Sequence, residues 1–201
     1  MNINFIGNTR IATVDGLISD QDCRDLAEFA IWTQDNRLDF SEFLLDDTQD
    51  DPYGRNLKFM NDHWYSKNSY ISRYPSYYQR LVDNLNVQAN IAFKEYLKLI
   101  DHPTHEYLEH HLAFHAVHLY REGQGLGVHD DVQDFAFVFY LNEEPEFTGG
   151  ELEYVDETDP IKLKPVTGRL IIQPGDILHR VLDVKSGIRC STTAFLCMQS
   201  N

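Results

Sequence analysis

The chain of 201 residues carries a formal net charge of −15, with 42% hydrophobic and 24% charged residues, the composition of an ordinary soluble globular protein. So acidic a chain is not expected to bind nucleic-acid backbones or an anionic membrane surface, both of which call for a basic face. No apolar run approaches the roughly 18 residues of a membrane span, and at this length one domain, 1–201, is the expectation.

The first residues, Met1-Asn2-Ile3-Asn4-Phe5, have neither a basic nor an apolar leader segment, so no signal peptide is expected. Ile11–Asp15 reads as a short strand. Ser19 then opens a helix as its N-cap, with Asp22 three residues on as an acidic variant of the capping box, and the helix runs to about Trp32. From about Asp35 to Pro75 the chain is irregular. It first carries Asp46-Asp47-Thr48-Gln49-Asp50-Asp51, which lacks the glycine and terminal glutamate of an EF-hand loop and reads as a solvated loop. It then becomes rich in aromatics (Trp64, Tyr65, Tyr70, Tyr74, Tyr77, Tyr78), either a lid over a site or packing of a helical layer. Tyr78, Leu81, Leu85, Ile91, Phe93, Tyr96, Leu97 and Ile100 follow helical spacing, in one or two helices ending before Pro103.

From Ala113 onward, short β-branched and aromatic runs alternate with Gly, Pro and Asp turns. Strands are predicted near Ala113–Tyr120, Val128–Val132, Phe135–Leu141, Glu151–Val155, Ile161–Pro165, Arg169–Gln173, Ile177–Asp183 and Ile188–Met198. Eight short strands with no helix between them predict an antiparallel sandwich or jelly roll, its outer face covered by the helical first half. The expected organisation is a helical support layer over 1–112 and a jelly-roll core over 113–198.

Cys23, Cys190 and Cys197 are odd in number and include no C-x-x-C pair, so a disulfide framework or zinc knuckle is not expected and a reducing compartment, the cytoplasm, is. Histidine is the conspicuous residue: there are nine, and six (His102, His105, His110, His111, His115, His118) crowd into one segment. That cluster straddles a proline, a short helix and a strand and reads as a solvated or core-edge set of imidazoles rather than a zinc site. His118 shares strand parity with Tyr120.

The chemistry points elsewhere. In His129-Asp130-Asp131 the i,i+2 spacing on an extended chain presents His129 and Asp131 on one side, and Asp130 on the other unless a bulge exchanges them. His179, after the Pro174-Gly175-Asp176 turn, supplies a second imidazole. Two histidines and one carboxylate with an open face is the arrangement of non-haem Fe(II) oxygenases. On the last strand Arg189, Ser191 and Thr193 share a face, opposite Ile188, Cys190, Thr192 and Ala194. An arginine in a barrel interior is costly unless it meets an anion, and a guanidinium is the natural fork for a carboxylate. An iron-chelating dicarboxylate with its far end on Arg189 fits both features.

His129-x-Asp131, His179 and Arg189 resemble the H-x-D…H…R signature of the Fe(II)/2-oxoglutarate dioxygenases. The prolyl 4-hydroxylase-like branch is the closer match, through Leu119-Tyr-Arg-Glu-Gly-Gln124, Tyr140-Leu-Asn142, Gly149-Gly-Glu-Leu152, Lys164-Pro165…Gly168-Arg-Leu170 and Gln173-Pro-Gly-Asp176. Val14-Asp-Gly-Leu-Ile-Ser-Asp-Gln-Asp-Cys23 resembles the family's opening strand and Cys-bearing helix. The resemblance implies an α+β fold, a double-stranded β-helix core with the N-terminal helices packed on one sheet. It implies His129, Asp131 and His179 as catalytic Fe(II) ligands, Arg189 with Tyr140 as the partners of the distal carboxylate of 2-oxoglutarate, and Tyr120 and Thr193 as further donors in that pocket. It implies oxidative decarboxylation of 2-oxoglutarate to succinate and CO2 with O2, coupled to hydroxylation of a substrate C–H bond, with ascorbate as reductant. The expected substrate is a prolyl residue in a peptide or protein. The alternatives are an oxygenase of a small molecule such as a free amino acid, a non-catalytic jelly-roll binding module, and a zinc hydrolase or cupin-like isomerase, which leaves Arg189 unexplained.

Overall fold

The computed structural model of the chain describes residues 1–35, 56–58, 76–103, 112, 114, 116–155 and 160–198. The chain opens with β1 (Ile3–Phe5) and β2 (Ala12–Asp15), then α1 (Asp20–Asp35), β3 (Asn56–Lys58) and α2 (Ser76–Leu99). The remainder is β4 (Ala116–Arg121), β5 (Leu126–His129), β6 (Phe135–Tyr140), β7 (Phe147–Gly149), β8 (Leu152–Tyr154), β9 (Ile161–Leu163), β10 (Arg169–Pro174), β11 (His179–Val181) and β12 (Val184–Leu196).

The strands pair antiparallel into a large sheet, β1-β2-β10-β6-β12-β4-β3 with β7 on β12, and a small one, β5-β11-β8-β9. This is the double-stranded β-helix expected. The strand predicted at Val128–Val132 is β5 and ends at His129 instead. Three strands were not expected, β1, β3 and β7. Each has only three residues, too few to express a period of two, and β7 sits in a Pro- and Gly-rich stretch.

Ser19 caps α1 as its sequence predicts. Its Oγ accepts from the backbone N–H of Asp22 at 3.1 Å and donates to the Asp22 carboxylate at 2.8 Å. The spacing that allowed one or two helices resolves into the single α2. Asn86 and Asn90 on α2 hold the chain on its way to β4: Asn90 exchanges two hydrogen bonds with the backbone of Leu112, each 2.8 Å, and Asn86 Oδ1 accepts from Phe114 N–H at 2.9 Å.

Strand β6, apolar on both faces, explains the layering. Phe135, Phe137 and Phe139 face the helices, where Phe93 meets the first two edge-on with centroids 5.1 and 4.9 Å apart. Ala136, Val138 and Tyr140 face the small sheet, where Val138 and Tyr140 pack with Ile171, Leu152, Tyr154 and Val181. Each buried Phe of the first set contributes about 1.5–3 kcal/mol of burial, so the helical layer and large sheet form one stable backing for the inner space. Tyr78 stacks on Phe29 at 4.0 Å, and the Tyr77 hydroxyl donates to Asp25, so these two aromatics belong to helix packing, not to a lid. Trp64, Tyr65, Tyr70, Tyr74, the Asp46–Asp51 loop and His105, His110, His111 and His115 lie outside the described residues. His102 packs on the edge of Phe135, 5.9 Å between ring centres.

Across β2 and β10, Arg169 makes a two-pronged contact with Asp15, 2.6 and 2.9 Å, which with its charge holds the Asp15 carboxyl below its ordinary range. The folded state gains from this ion pair only while Asp15 is ionised. Asp15→Asn is expected to lower stability at neutral pH by no more than about 1 kcal/mol. The gap closes as pH falls through the lowered folded-state titration of Asp15, as chemical denaturation across pH will measure.

Candidate functional site

His129 ends β5 and lies directly opposite His179 on β11. The register between these strands shifts: His179 faces His129, but Val181 faces Leu126, so two steps on β11 match three on β5. The extra residue puts Leu126 and His129 on the same inner face, the re-aiming that a β-bulge performs beside many active sites. Asp131 lies two residues past the strand end. Its N–H donates to the carbonyl of Gly175 at 2.8 Å, and the Gly175 N–H donates to Asp134 O at 3.0 Å. The His–Asp pairing that strand parity predicted is therefore produced by a pinned loop, with Asp130 exposed as expected.

One ligand atom from each of His129, Asp131 and His179 lies within 4.8 Å of the others, and among the described residues no other group of three metal-ligating side chains does so. Both imidazoles have the same tautomer. His129 Nδ1 meets the Gly127 carbonyl and His179 Nδ1 the Ile177 carbonyl, each at 2.8 Å. A carbonyl only accepts, so both Nδ1 atoms carry the proton and both Nε2 atoms present lone pairs, as metal-bound histidines do. Burial holds the His179 ring below the ordinary imidazole range, so it stays neutral. Burial also raises the Asp131 carboxyl, against the lowering effect of both histidines. His179 Nε2 and Asp131 Oδ2 stand 3.7 Å apart.

Deeper between the sheets lies Arg189, 1% exposed, on the face of β12 that also carries Ser191 and Thr193. Its guanidinium lies against the rings of Tyr120 at 5.2 Å and Tyr140 at 5.0 Å and donates to Ser191 Oγ at 2.8 Å. Gly150 makes room for it: a Cβ there would lie 2.8 Å from Arg189 Cδ. No carboxylate among the described residues pairs with Arg189. Among the described residues, Arg189 Nε and the fully buried Tyr140 hydroxyl have no hydrogen-bond partner, although buried polar groups nearly always find one. Arg189 lines the pocket with Tyr140 packed against it, and a donor left over there is what the carboxylate end of a small acid would satisfy. Tyr120 and Thr193 line the same cavity, and His118 joins them, 2.7 Å from Thr193 Oγ1 through its Nε2. Every residue assigned from the sequence thus lies in or against one cavity between the sheets.

Two buried side chains went unassigned. Gln173, on β10, and Tyr154, on β8, approach the triad from opposite sheets, and Tyr154 OH donates to Gln173 Oε1 at 2.6 Å. The available signal was Gln173 itself, the polar member of the otherwise apolar run Leu170-Ile-Ile-Gln173.

Comparison with known proteins agrees with this arrangement. Residues 115–197, which contain every one of these site residues, match the family model of the 2OG-Fe(II) oxygenase superfamily. A PKHD-type hydroxylase of Synechococcus sp. (strain CC9311) is 43% identical over 58 residues, 28% of this chain and 26% of the relative. Another, of Psychrobacter sp. (strain PRwf-1), is 30% identical over 90 residues, 38% of this chain and 35% of the relative. The chain thus spans about a quarter to a third of the length of these relatives. Among solved structures, a Pseudomonas putida prolyl-4-hydroxylase is similar with a TM-score of 0.58 at 17% identity, over 95% of this chain and 90% of that one. The viral collagen prolyl hydroxylase of Paramecium Bursaria Chlorella virus-1 is similar with a TM-score of 0.54 at 19% identity, over 96% and 98%. The match over 115–197 agrees with the resemblance to 2OG-Fe(II) oxygenases read from the residues, a family that implies Fe(II), 2-oxoglutarate and O2, and the prolyl-4-hydroxylase structures share the fold.

A Cβ on Gly175 would lie 1.7 Å from the Gln133 carbonyl oxygen, so the contact that pins Asp131 admits no side chain. Gly175→Ala is expected to lower stability by about 1–3 kcal/mol, the range for overpacking, and to weaken metal binding by displacing the Asp131 loop. Thermal unfolding and metal titration measure the two effects.

Proposed function

We propose that the protein is an Fe(II)- and 2-oxoglutarate-dependent dioxygenase that hydroxylates a prolyl residue in a peptide or protein, releasing succinate and CO2. The observation that carries the reading is one cavity holding, in series, a two-histidine, one-carboxylate cluster and a buried arginine beside a tyrosine hydroxyl, both with unmet donors. Either feature alone has other uses. Together they fit a small dicarboxylate chelated at one end and anchored at the other.

His129 and His179, through Nε2, and Asp131, through its carboxylate, hold the metal and leave an open face. Fe(II) bound there supplies the redox chemistry that couples oxidative decarboxylation of 2-oxoglutarate to insertion of an oxygen atom from O2 into a C–H bond. The carbonyls of Gly127 and Ile177 fix the two imidazole rings, so no proton need be displaced from Nε2. Arg189 and the Tyr140 hydroxyl donate to the distal carboxylate, and Tyr120 and Thr193 are further donors in the same pocket. The apolar walls of Val138, Leu152 and Val181 exclude water, so these charge-assisted bonds are stronger than at a surface.

The prolyl assignment is supported by the naming of the fold neighbours, a prolyl-4-hydroxylase and a collagen prolyl hydroxylase, and of the PKHD-type relatives as hydroxylases. The net charge of −15 favours a basic peptide. Ascorbate serves as reductant on this reading. The cytoplasm is its place of work, given the unpaired cysteines, two of them buried with thiols pushed up to about 12 by burial.

The test incubates the protein with Fe(II), ascorbate, 2-oxoglutarate and either proline-rich peptides or free amino acids, and follows succinate and product mass. A peptide gaining one oxygen on proline supports the reading. Oxidation of a free amino acid alone replaces the substrate class, and succinate-free incubation with metal bound overturns the activity. Arg189→Ala is expected to raise the KM for 2-oxoglutarate at least tenfold, and His179→Ala to abolish both metal binding and turnover in a folded protein.

A further inference from the structure

We propose that Gln173 is a positioning residue for the metal-binding carboxylate: held by the Tyr154 hydroxyl, its amide fixes the rotation of Asp131 so that the carboxylate faces the two histidines. The proposal rests on the reading of His129, Asp131 and His179 as the metal site.

Gln173 is fully buried at the end of β10, where Leu170, Ile171 and Ile172 before it are apolar. A buried amide must make its hydrogen bonds or incur a penalty that an apolar residue of the same size avoids. Both ends of the amide have partners. Tyr154 OH donates to Oε1 at 2.6 Å, and Nε2 donates to Asp131 Oδ2 at 3.5 Å while lying 3.3 and 3.4 Å from the ring nitrogens of His179. The orientation of the amide follows from its neighbours. A carboxylate only accepts, whereas a phenol can donate, so NH2 toward Asp131 and carbonyl toward Tyr154 satisfies both ends. The reversed amide would set a carbonyl oxygen against the carboxylate.

The division of labour is visible in the backbone. The Gly175 carbonyl pins the Asp131 main chain but leaves its side chain free to rotate about Cβ–Cγ. Asp131 also sits beyond the end of β5, without a ladder neighbour to restrain it. Gln173, two residues before Gly175, supplies the missing constraint from the same turn. Tyr154, opposite His179 in the register of β8 and β11, ties that constraint to the sheet that carries the histidines. One chain of side chains from both sheets thus sets the angle between the carboxylate and the imidazoles. Partners in contact with metal ligands typically govern metal affinity by 10–100-fold.

Co(II) binding to the metal-free protein tests this, read by calorimetry and by the visible spectrum of the bound ion. Gln173→Leu is expected to weaken Co(II) binding about 10–100-fold and alter the spectrum, while the metal-free protein stays folded with an unfolding temperature lowered modestly by the orphaned Tyr154 hydroxyl. Tyr154→Phe removes a single oxygen and is expected to act in the same direction by a smaller factor. The double variant should match Gln173→Leu, since the two residues act as one unit. If Gln173→Leu unfolds, Tyr154→Phe carries the test. Wild-type affinity and spectrum in the folded variants, with binding abolished by His129→Ala, overturn the positioning role alone. Absence of Co(II) binding to the wild type overturns the metal reading beneath it.

Discussion

A guanidinium buried between two apolar sheet faces is the constraint around which this molecule is organised. Taken out of water, Arg189 is tolerable only if its surroundings answer its charge and its donors. The chain answers in part. Tyr120 and Tyr140 offer ring faces, Ser191 accepts one hydrogen bond, and Gly150, without a side chain, leaves room for the arginine. Among the described residues its Nε has no partner, and it lies in the same cavity as three potential metal ligands. On the proposed reading the missing partner is the far carboxylate of the co-substrate, so the destabilising feature of the free protein is the recognition device of the working one.

That arrangement needs a stiff frame, and β6 shows how it is made. Its phenylalanines anchor the large sheet to the helices, while its alternate residues form the wall of the cavity. The small sheet then has only to deliver the two histidines, which it does through neighbouring strands and a register shift in β5. Neither histidine depends on a long side chain for its placement. Each is held by a carbonyl two residues back, so strand geometry and ring geometry are fixed together.

Much of this was legible in the sequence because strands alternate. The parity of Arg189, Ser191 and Thr193 against Cys190 and Ala194 is a period-two pattern, and the structure places the two sets on the inner and helix-facing sides. The eight strands predicted in the second half are present because their β-branched and aromatic runs are bounded by Gly, Pro and Asp turns. His129 and Asp131 were paired by a rule that does not strictly apply, since β5 ends at His129; a loop contact to Gly175 gives the same outcome by other means. The bulge in β5 was not legible, because an extra residue in one strand depends on the partner strand. Gln173 and Tyr154 were passed over because their meaning lies in a contact across the two sheets, and no local pattern records which residues of opposite sheets will meet. The six crowded histidines are the conspicuous feature of the sequence. Of the two that the structure describes, His102 packs on Phe135 and His118 lines the cavity.

The central claim is that the triad and Arg189 hold opposite ends of one dicarboxylate. The direct measurement is anaerobic binding of 2-oxoglutarate and of 2-oxopentanoate, which lacks the distal carboxylate, to the protein with and without Fe(II). The account predicts that tight binding of 2-oxoglutarate requires the metal, and that losing the distal carboxylate weakens binding by at least tenfold in the wild type but scarcely in Arg189→Ala. Binding that ignores the metal, or equal affinity for the two acids in the wild type, would contradict it.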